Sequence, residues 1–280
     1  MLWIYELPTW LLAALTIGFF MTVSLGGLLL SRHFITKHLR FSQEINDAVN
    51  YFGTAIVALY SVTLGLIAVA SWTNFSNVDT LVSQEAASIG VLYRDVGGYP
   101  DPLRTDLRRM LREYTTFIIE KSWPAQQHGR SLDQPTIMLT EIHQHILDYE
   151  PPTLGRQTMH AEAMHKFNQV ADLRRQRVDR VDDGLPPVLW AVVMIGGFLT
   201  VGVSYLFWIE DTRFHVLLLS MVSFFIGLMI FLIAALDRPF RGNVSVSSDS
   251  YRTIITRVMD PLDVHAAVSR GQADTAFSQR

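Results

Sequence analysis

Four stretches of about 20 residues each, at 11–30, 51–72, 187–209 and 214–236, contain no Asp, Glu, Lys or Arg. A helix of that length crosses a hydrocarbon core of roughly 30 Å. In lipid the backbone N–H and C=O groups have no water to bond, so an isolated apolar block of this kind must satisfy them within itself, as a helix does. The first block is too long for a signal-peptide core of roughly 7–15 apolar residues, and no Lys or Arg precedes it, so it reads as a retained span. Aromatic residues collect at the block ends (Trp3, Tyr5, Trp10, Tyr51, Trp72, Trp190 and Trp208), where an amphipathic ring suits the headgroup level.

Residues 73–185 are rich in charge and read as four helices with 3.6-residue apolar stripes. The first, about 78–96, places Val78, Val82, Glu85, Ile89 and Leu92 on one face. Gly97, Gly98, Pro100 and Pro102 end it. The second, about 103–123, turns Leu107, Met110, Leu111, Tyr114 and Ile118 inward. The third, about 136–149, buries Ile137, Leu139, Ile142 and Ile146, and the fourth, about 157–182, carries Met164, Phe167, Val170, Leu173 and Val178. The first and last of these helices are expected to continue spans two and three outward. The fold class is therefore all-α: a four-span transmembrane helical protein with a four-helix extramembrane bundle inserted between spans 2 and 3. The expected division is 1–72 for spans one and two, 73–185 for the bundle, 186–242 for spans three and four, and 243–280 for a tail. That tail offers a short amphipathic helix over 247–259 with Tyr251, Ile254, Ile255 and Val258 on one side, then a polar, aperiodic segment from Pro261 that is expected to be disordered.

Small residues recur at helical spacing in each span: Ala14, Gly18, Thr22 and Gly26; Ser61 and Gly65; Gly196, Thr200 and Ser204; Ser223 and Gly227. Such rows let helices approach closely where no hydrophobic drive operates between them. The spans are read as free of titratable side chains, which argues against proton-coupled carriers, pumps and voltage sensors, all of which use an intramembrane charge. A passive pore needs only hydroxyls, backbone and apolar constrictions. Thr54, Tyr60, Ser61, Thr63 and Gly65 of span two are the candidates to line one.

A net charge of −3 without a basic stripe gives no reason to expect nucleic acid. The lack of cysteine excludes disulfides, thiolate nucleophiles and cysteine-held metals. No catalytic or phosphate-binding motif appears, so neither an enzyme nor a cofactor is expected. Glu162-x-x-His165, with Glu141 and His145 on the preceding helix, is an incomplete form of the di-iron pattern, which needs the motif on two helices and two further glutamates. Here it occurs once, on a helix whose apolar stripe lies elsewhere, so a solvated helix face is the preferred reading. Glu85 stands on an apolar stripe, and a buried glutamate calls for a partner such as Arg112 or an axial pathway. Flanking charge leaves orientation open, since Arg32, Lys37 and Arg40 oppose Arg174, Arg175, Arg177, Arg180, Arg238 and Arg241.

Glu85-Ala86, the Leu185-Pro186…Trp190 start of span three, and Asp237-Arg238-Pro239-Phe240-Arg241-Gly242 after span four together carry a resemblance, over about residues 10–258, to the bestrophin-like family of mostly bacterial membrane proteins. The resemblance implies kinship to bestrophins, pentameric anion channels with four spans per subunit and large cytoplasmic helical regions. The aromatic-rich neck on span two and the acidic calcium clasp of animal bestrophins are missing here, so calcium gating and chloride selectivity do not carry over. What the resemblance implies is a homo-oligomeric ion channel of the bacterial inner membrane, with the lipid bilayer and small inorganic ions as partners and the bundle in the cytoplasm. Physically, Pro239 would stop span four, Arg238 and Arg241 would anchor at headgroups, and Phe240 would dock on the bundle or the interface. A sensor or scaffold whose bundle binds a ligand or partner is the alternative.

Overall fold

The computed structural model describes residues 7–38, 43–207, 209 and 211–264, and the regular structure among them is entirely helical. The elements are α1 (Thr9–His38), α2 (Gln43–Asp95), α3 (Leu103–Phe117), α4 (Trp123–Gln127), α5 (Gln134–Leu147), α6 (Leu154–Asp179), α7 (Pro187–Ser204), α8 (Thr212–Leu236) and α9 (Asp249–Ile254). A 3-10 turn follows α2 at Val96–Gly98, and π-helical turns occupy Ile118–Ser122 and Ile255–Met259. Helices α1, α2, α7 and α8 are long and apolar enough to cross a membrane. The chain forms two compact units, Met1–Phe75 with Asp183–Ser245, and Ser76–Asp182 with Val246–Arg280, and the 53-residue α2 contributes to both.

In the first unit, α8 lies tightly on α1. A Cβ added at Gly227 would stand 2.8 Å from the Ile17 Cα, so only glycine permits this approach. One turn away the buried Ser223 hydroxyl donates to Ser24 Oγ at 2.6 Å. Lipid gives helices no hydrophobic reason to associate, so close backbone approach and a hydroxyl bond of this kind supply the drive. α7 is held by Tyr60 of α2, whose ring lies on Gly196 and whose hydroxyl donates to the Val193 carbonyl at 2.9 Å. Tyr205 covers Gly27 and donates to the Val23 carbonyl at 3.2 Å. The small-residue rows of spans three and four are thus filled within the subunit. Those of spans one and two are open among the described residues, since a Cβ at Gly18, Gly26 or Gly65 would meet none of them within 4 Å.

Three expectations for the spans are corrected. Span three ends at Ser204, not residue 209, because Tyr205 and Leu206 close onto the Gly202 and Val203 carbonyls in i→i−3 bonds and the chain turns. The Asp211 side chain then caps α8 by accepting from the Arg213 N–H at 2.8 Å. Helix α6 does not run into span three either. It stops at Asp179, and residues 180–186, with Gly184 and the Pro186-Pro187 pair, break the path. Nor are the spans free of titratable groups: His215 is buried in the first turn of α8, its Nε2 3.1 Å from the Ser204 carbonyl. Trp10, Tyr51 and Trp72 are exposed as interfacial rings would be, while Trp3, Tyr5, Trp208 and Arg40 lie outside the described residues.

The second unit buries the expected faces of α2 and α3: Val78, Val82, Glu85, Ile89 and Leu92 from one, Leu107, Met110, Leu111, Tyr114 and Ile118 from the other. The π turn at Ile118–Ser122 widens the stripe: Ile119 and Trp123, at i+5 from Tyr114 and Ile118, are buried beside Ser122 and Gln126, which continue it at i+4. Helix α5 starts two residues earlier than expected and buries Pro135, Leu139, Ile142 and Ile146, which leaves Ile137 about 200° away and 49% exposed, contrary to expectation. α6 is also displaced toward the N-terminus: Ala163, Phe167, Val170 and Leu173 are buried, Met164 and Val178 only partly. The tail is more ordered than expected: Tyr251, Val258 and Met259 are buried in this unit and helix continues to Val264. Residues 265–280, the rest of the segment expected to be disordered, lie outside the described residues.

Candidate functional site

Glu85 and Arg177 form the chemical centre of the second unit. Both are almost completely buried, and the guanidinium engages the carboxylate with two bonds, Nε to Oε2 at 2.6 Å and Nη2 to Oε1 at 3.2 Å. Nη1 donates to Gln126 Oε1 at 2.8 Å. The guanidinium also lies 5.7 Å from the Trp123 ring and 6.0 Å from the Tyr251 ring. Burial opposes the Arg177 charge, but Glu85 and the flanking phenols outweigh it and hold its pKa above the ordinary value. The Tyr114 and Tyr251 hydroxyls are pushed up by burial, and the Glu85 carboxylate adds to the shift. The expected partner, Arg112, is elsewhere: it pairs with Asp260 and Asp263, each at 2.8 Å. Arg177 carried the same signal as Glu85, a charge on an apolar stripe, since Val170 and Leu173 precede it by seven and four residues.

The five span-two candidates do not share a face. At 100° per residue Thr54, Ser61 and Gly65 fall within about 40° of one another, whereas Tyr60 and Thr63 point to other sides. Thr54 and Ser61 are exposed on the subunit and Tyr60 is buried against α7. The Ser61 hydroxyl donates to the Val57 carbonyl at 2.7 Å and that of Thr63 to Leu59 at 2.9 Å, so both keep their lone pairs outward. Toward the start of α2, Asp47, Asn50, Tyr51, Thr54, Ala55 and Ala58 line an open trough of about 630 Å³.

After α8 the chain turns sharply. The Arg241 N–H donates to the Arg238 carbonyl at 3.0 Å, with Pro239 at the second position of the turn, and Gly242 takes φ 80°. Asp237 accepts from the Leu185 N–H, which ties this turn to the start of α7, and Gly184 leaves room for Arg238 above it. Phe240 is buried and so is Arg241, which lines a small cleft with Leu7, Thr9 and Leu12. The headgroup anchor expected of Arg241 is therefore replaced by inward packing. Replacing Gly242 by Ala forces a Cβ into left-handed backbone, so the thermal stability of the purified protein should fall by about 1–2 kcal/mol.

Glu162 pairs with Lys166 at 3.7 Å, and His145 Nδ1 lies 2.9 Å from the Glu141 carbonyl. No group of three potential metal ligands occurs among the described residues, and the Glu162 and His165 pair gains no companions there.

Residues 18–251 match the family model described as a Bestrophin-like domain. Among solved structures, a single-substitution variant of a bacterial bestrophin homologue from Klebsiella pneumoniae is similar with a TM-score of 0.65 at 10% identity, covering 89% of this chain and 98% of that chain. Another variant of it gives 0.63 at 11%, covering 88% and 97%. A crystal structure described only as a membrane protein gives 0.63 at 12%, covering 89% and 97%. At such identities the likeness is one of fold. No curated protein matches. With a family match spanning both units and four helices able to cross a bilayer, the chain is a membrane protein and belongs to the bestrophin-like family.

Proposed function

We propose that the chain is a subunit of a homo-oligomeric ion channel in the bacterial cell membrane, with the Thr54, Ser61 and Gly65 face of α2 lining the conduction path. The observation that carries this reading is the open face itself. Thr54 and Ser61 stand exposed there and a Cβ at Gly65 would meet nothing within 4 Å among the described residues; the α1 row is open as well but carries a single hydroxyl, Thr22, and the α7 row is filled by Tyr60. A wall of uncharged hydroxyls binds an ion weakly enough to release it, as conduction requires. Residues 73–185 then form a helical region outside the bilayer, on the cytoplasmic side. The Glu85–Arg177 pair serves as an internal strut of that region, not as an ion site, since its charges are already matched.

Purified oligomers reconstituted into liposomes should pass a salt current well above that of empty liposomes. Well-ordered oligomers that pass neither anions nor cations would end the channel reading. A sensor or scaffold would give that result together with monomers or dimers in detergent.

A further inference from the structure

Helix α3 aligns Arg104, Arg108 and Arg112 at i, i+4 and i+8, with Arg109 alongside. Like charges at that spacing repel, so the row is stable where anions answer it. Local carboxylates answer the flanks: Asp101 pairs with Arg104, and Asp106 and Glu113 lie 3.5 and 3.1 Å from Arg109. Arg108, in the middle, makes no ion pair among the described residues. Its guanidinium carbon stands 5.3 Å from the Tyr93 ring centre, Gly97 leaves it room, and its buried Nε has no hydrogen-bond acceptor among the described residues. These side chains and Asp263 enclose a cleft of about 280 Å³.

One anion already sits at the mouth. Asp263 accepts from Arg112 Nη2 at 2.8 Å and Nε at 3.2 Å, and from the Tyr93 hydroxyl. The donors therefore converge on one position, and an acid from the tail holds it. Guanidinium forks match the oxygens of a phosphate as they do those of a carboxylate, and a phosphate offers more oxygens to the row.

We propose that this arginine cleft binds a phosphate group, carried by a soluble phosphate ester or by a lipid headgroup, with Arg108 and Arg112 as donors and Asp263 as the group it displaces. The inference is independent of the channel reading. It gives the unanswered charge of Arg108 a partner, and it makes docking of residues 260–264 and phosphate binding mutually exclusive.

The full chain in detergent is titrated with inorganic phosphate by calorimetry at constant ionic strength, with chloride as control, and is separately offered phosphatidic acid against phosphatidylcholine by native mass spectrometry. Saturable binding of at least one phosphate probe is expected. D263N should bind it about 3- to 10-fold more tightly, because the competitor is weakened, and R108Q and R112Q should each weaken binding about tenfold or more, as loss of a charged hydrogen bond does. Arg175 on α6 is exposed, pairs with Asp172 and does not line the cleft, so R175Q should change little. Binding of phosphate alone assigns the soluble source, and binding of phosphatidic acid alone assigns the headgroup. If neither probe binds wild type or D263N, or if R108Q binds as wild type does, the site is overturned. Should R108Q fail to fold, absence of tightening in folded D263N overturns it equally.

Discussion

Replacing Arg177 by Met should destabilise the second unit by about 3–5 kcal/mol, the cost of leaving a buried carboxylate without its counter-charge. Glu85 is 0% exposed and Arg177 1%, so water cannot replace the lost partner. Gln126 would lose its donor, and the Tyr114 and Tyr251 hydroxyls would be left as the polar groups nearest the stranded charge. The double variant Glu85→Met with Arg177→Met should recover most of the loss, because removing both charges together leaves nothing to desolvate. Arg177→Lys should fall between, since an ammonium keeps the charge but cannot form the two-bonded fork. Thermal unfolding of the detergent-solubilised wild type, Arg177→Met, Glu85→Met and the double variant, read as a cycle with Arg177→Lys alongside, checks this. Equal melting of Arg177→Met and wild type would remove the pair from the list of what holds this unit together.

Gly227→Val should be the most damaging small change in the spans. The atom its Cβ meets is the Ile17 Cα, which is backbone and cannot rotate away, so α8 and α1 must part and the Ser223 to Ser24 bond must stretch. Overpacking a close contact costs about 1–3 kcal/mol, and the lost hydroxyl bond adds about 1 more. Gly18→Ala and Gly26→Ala are the controls, because a Cβ at either position meets nothing within 4 Å among the described residues. The readouts are melting temperature and the yield of folded protein from membranes. A Gly227→Val protein as stable as the Gly18→Ala protein would mean that the α1 and α8 contact does not limit stability. Loss of assembly in Gly18→Ala with the subunit fold intact would place the open row of α1 at a subunit boundary.

The spans were legible because their signal is local: an uncharged block of bilayer length is complete in itself. The same holds for the stripes of α2 and α3, whose buried members follow from spacing alone. What spacing could not supply was pairing. Glu85 announced a need for a cation, but its partner lies 92 residues away on a helix with several arginines, and only Arg177 stands on the buried side. The turns were the other blind spot. Two π-helical insertions rotate the faces that follow them, and the i→i−3 closure after α7 ends span three on a sequence that is still apolar. The grouping of Tyr60 and Thr63 with Thr54, Ser61 and Gly65 went by residue type, although 100° per residue already separates them. Arg241 shows the limit in the opposite sense: a basic residue beside a span usually reaches for headgroups, and here the turn at Pro239 carries it inward.

The most direct measurement exploits the absence of cysteine from the chain. Single cysteines at Thr54, Ser61 and Gly65, and at Tyr60 and Thr63 as off-face positions, can each be exposed to a charged methanethiosulfonate reagent while current is recorded from reconstituted protein. Rapid, lasting change of current at 54, 61 and 65 with little at 60 and 63 is the expected pattern. Modification that alters current equally at all five positions, or at 63 and not at 61, would contradict the assignment of this α2 face to the conduction path.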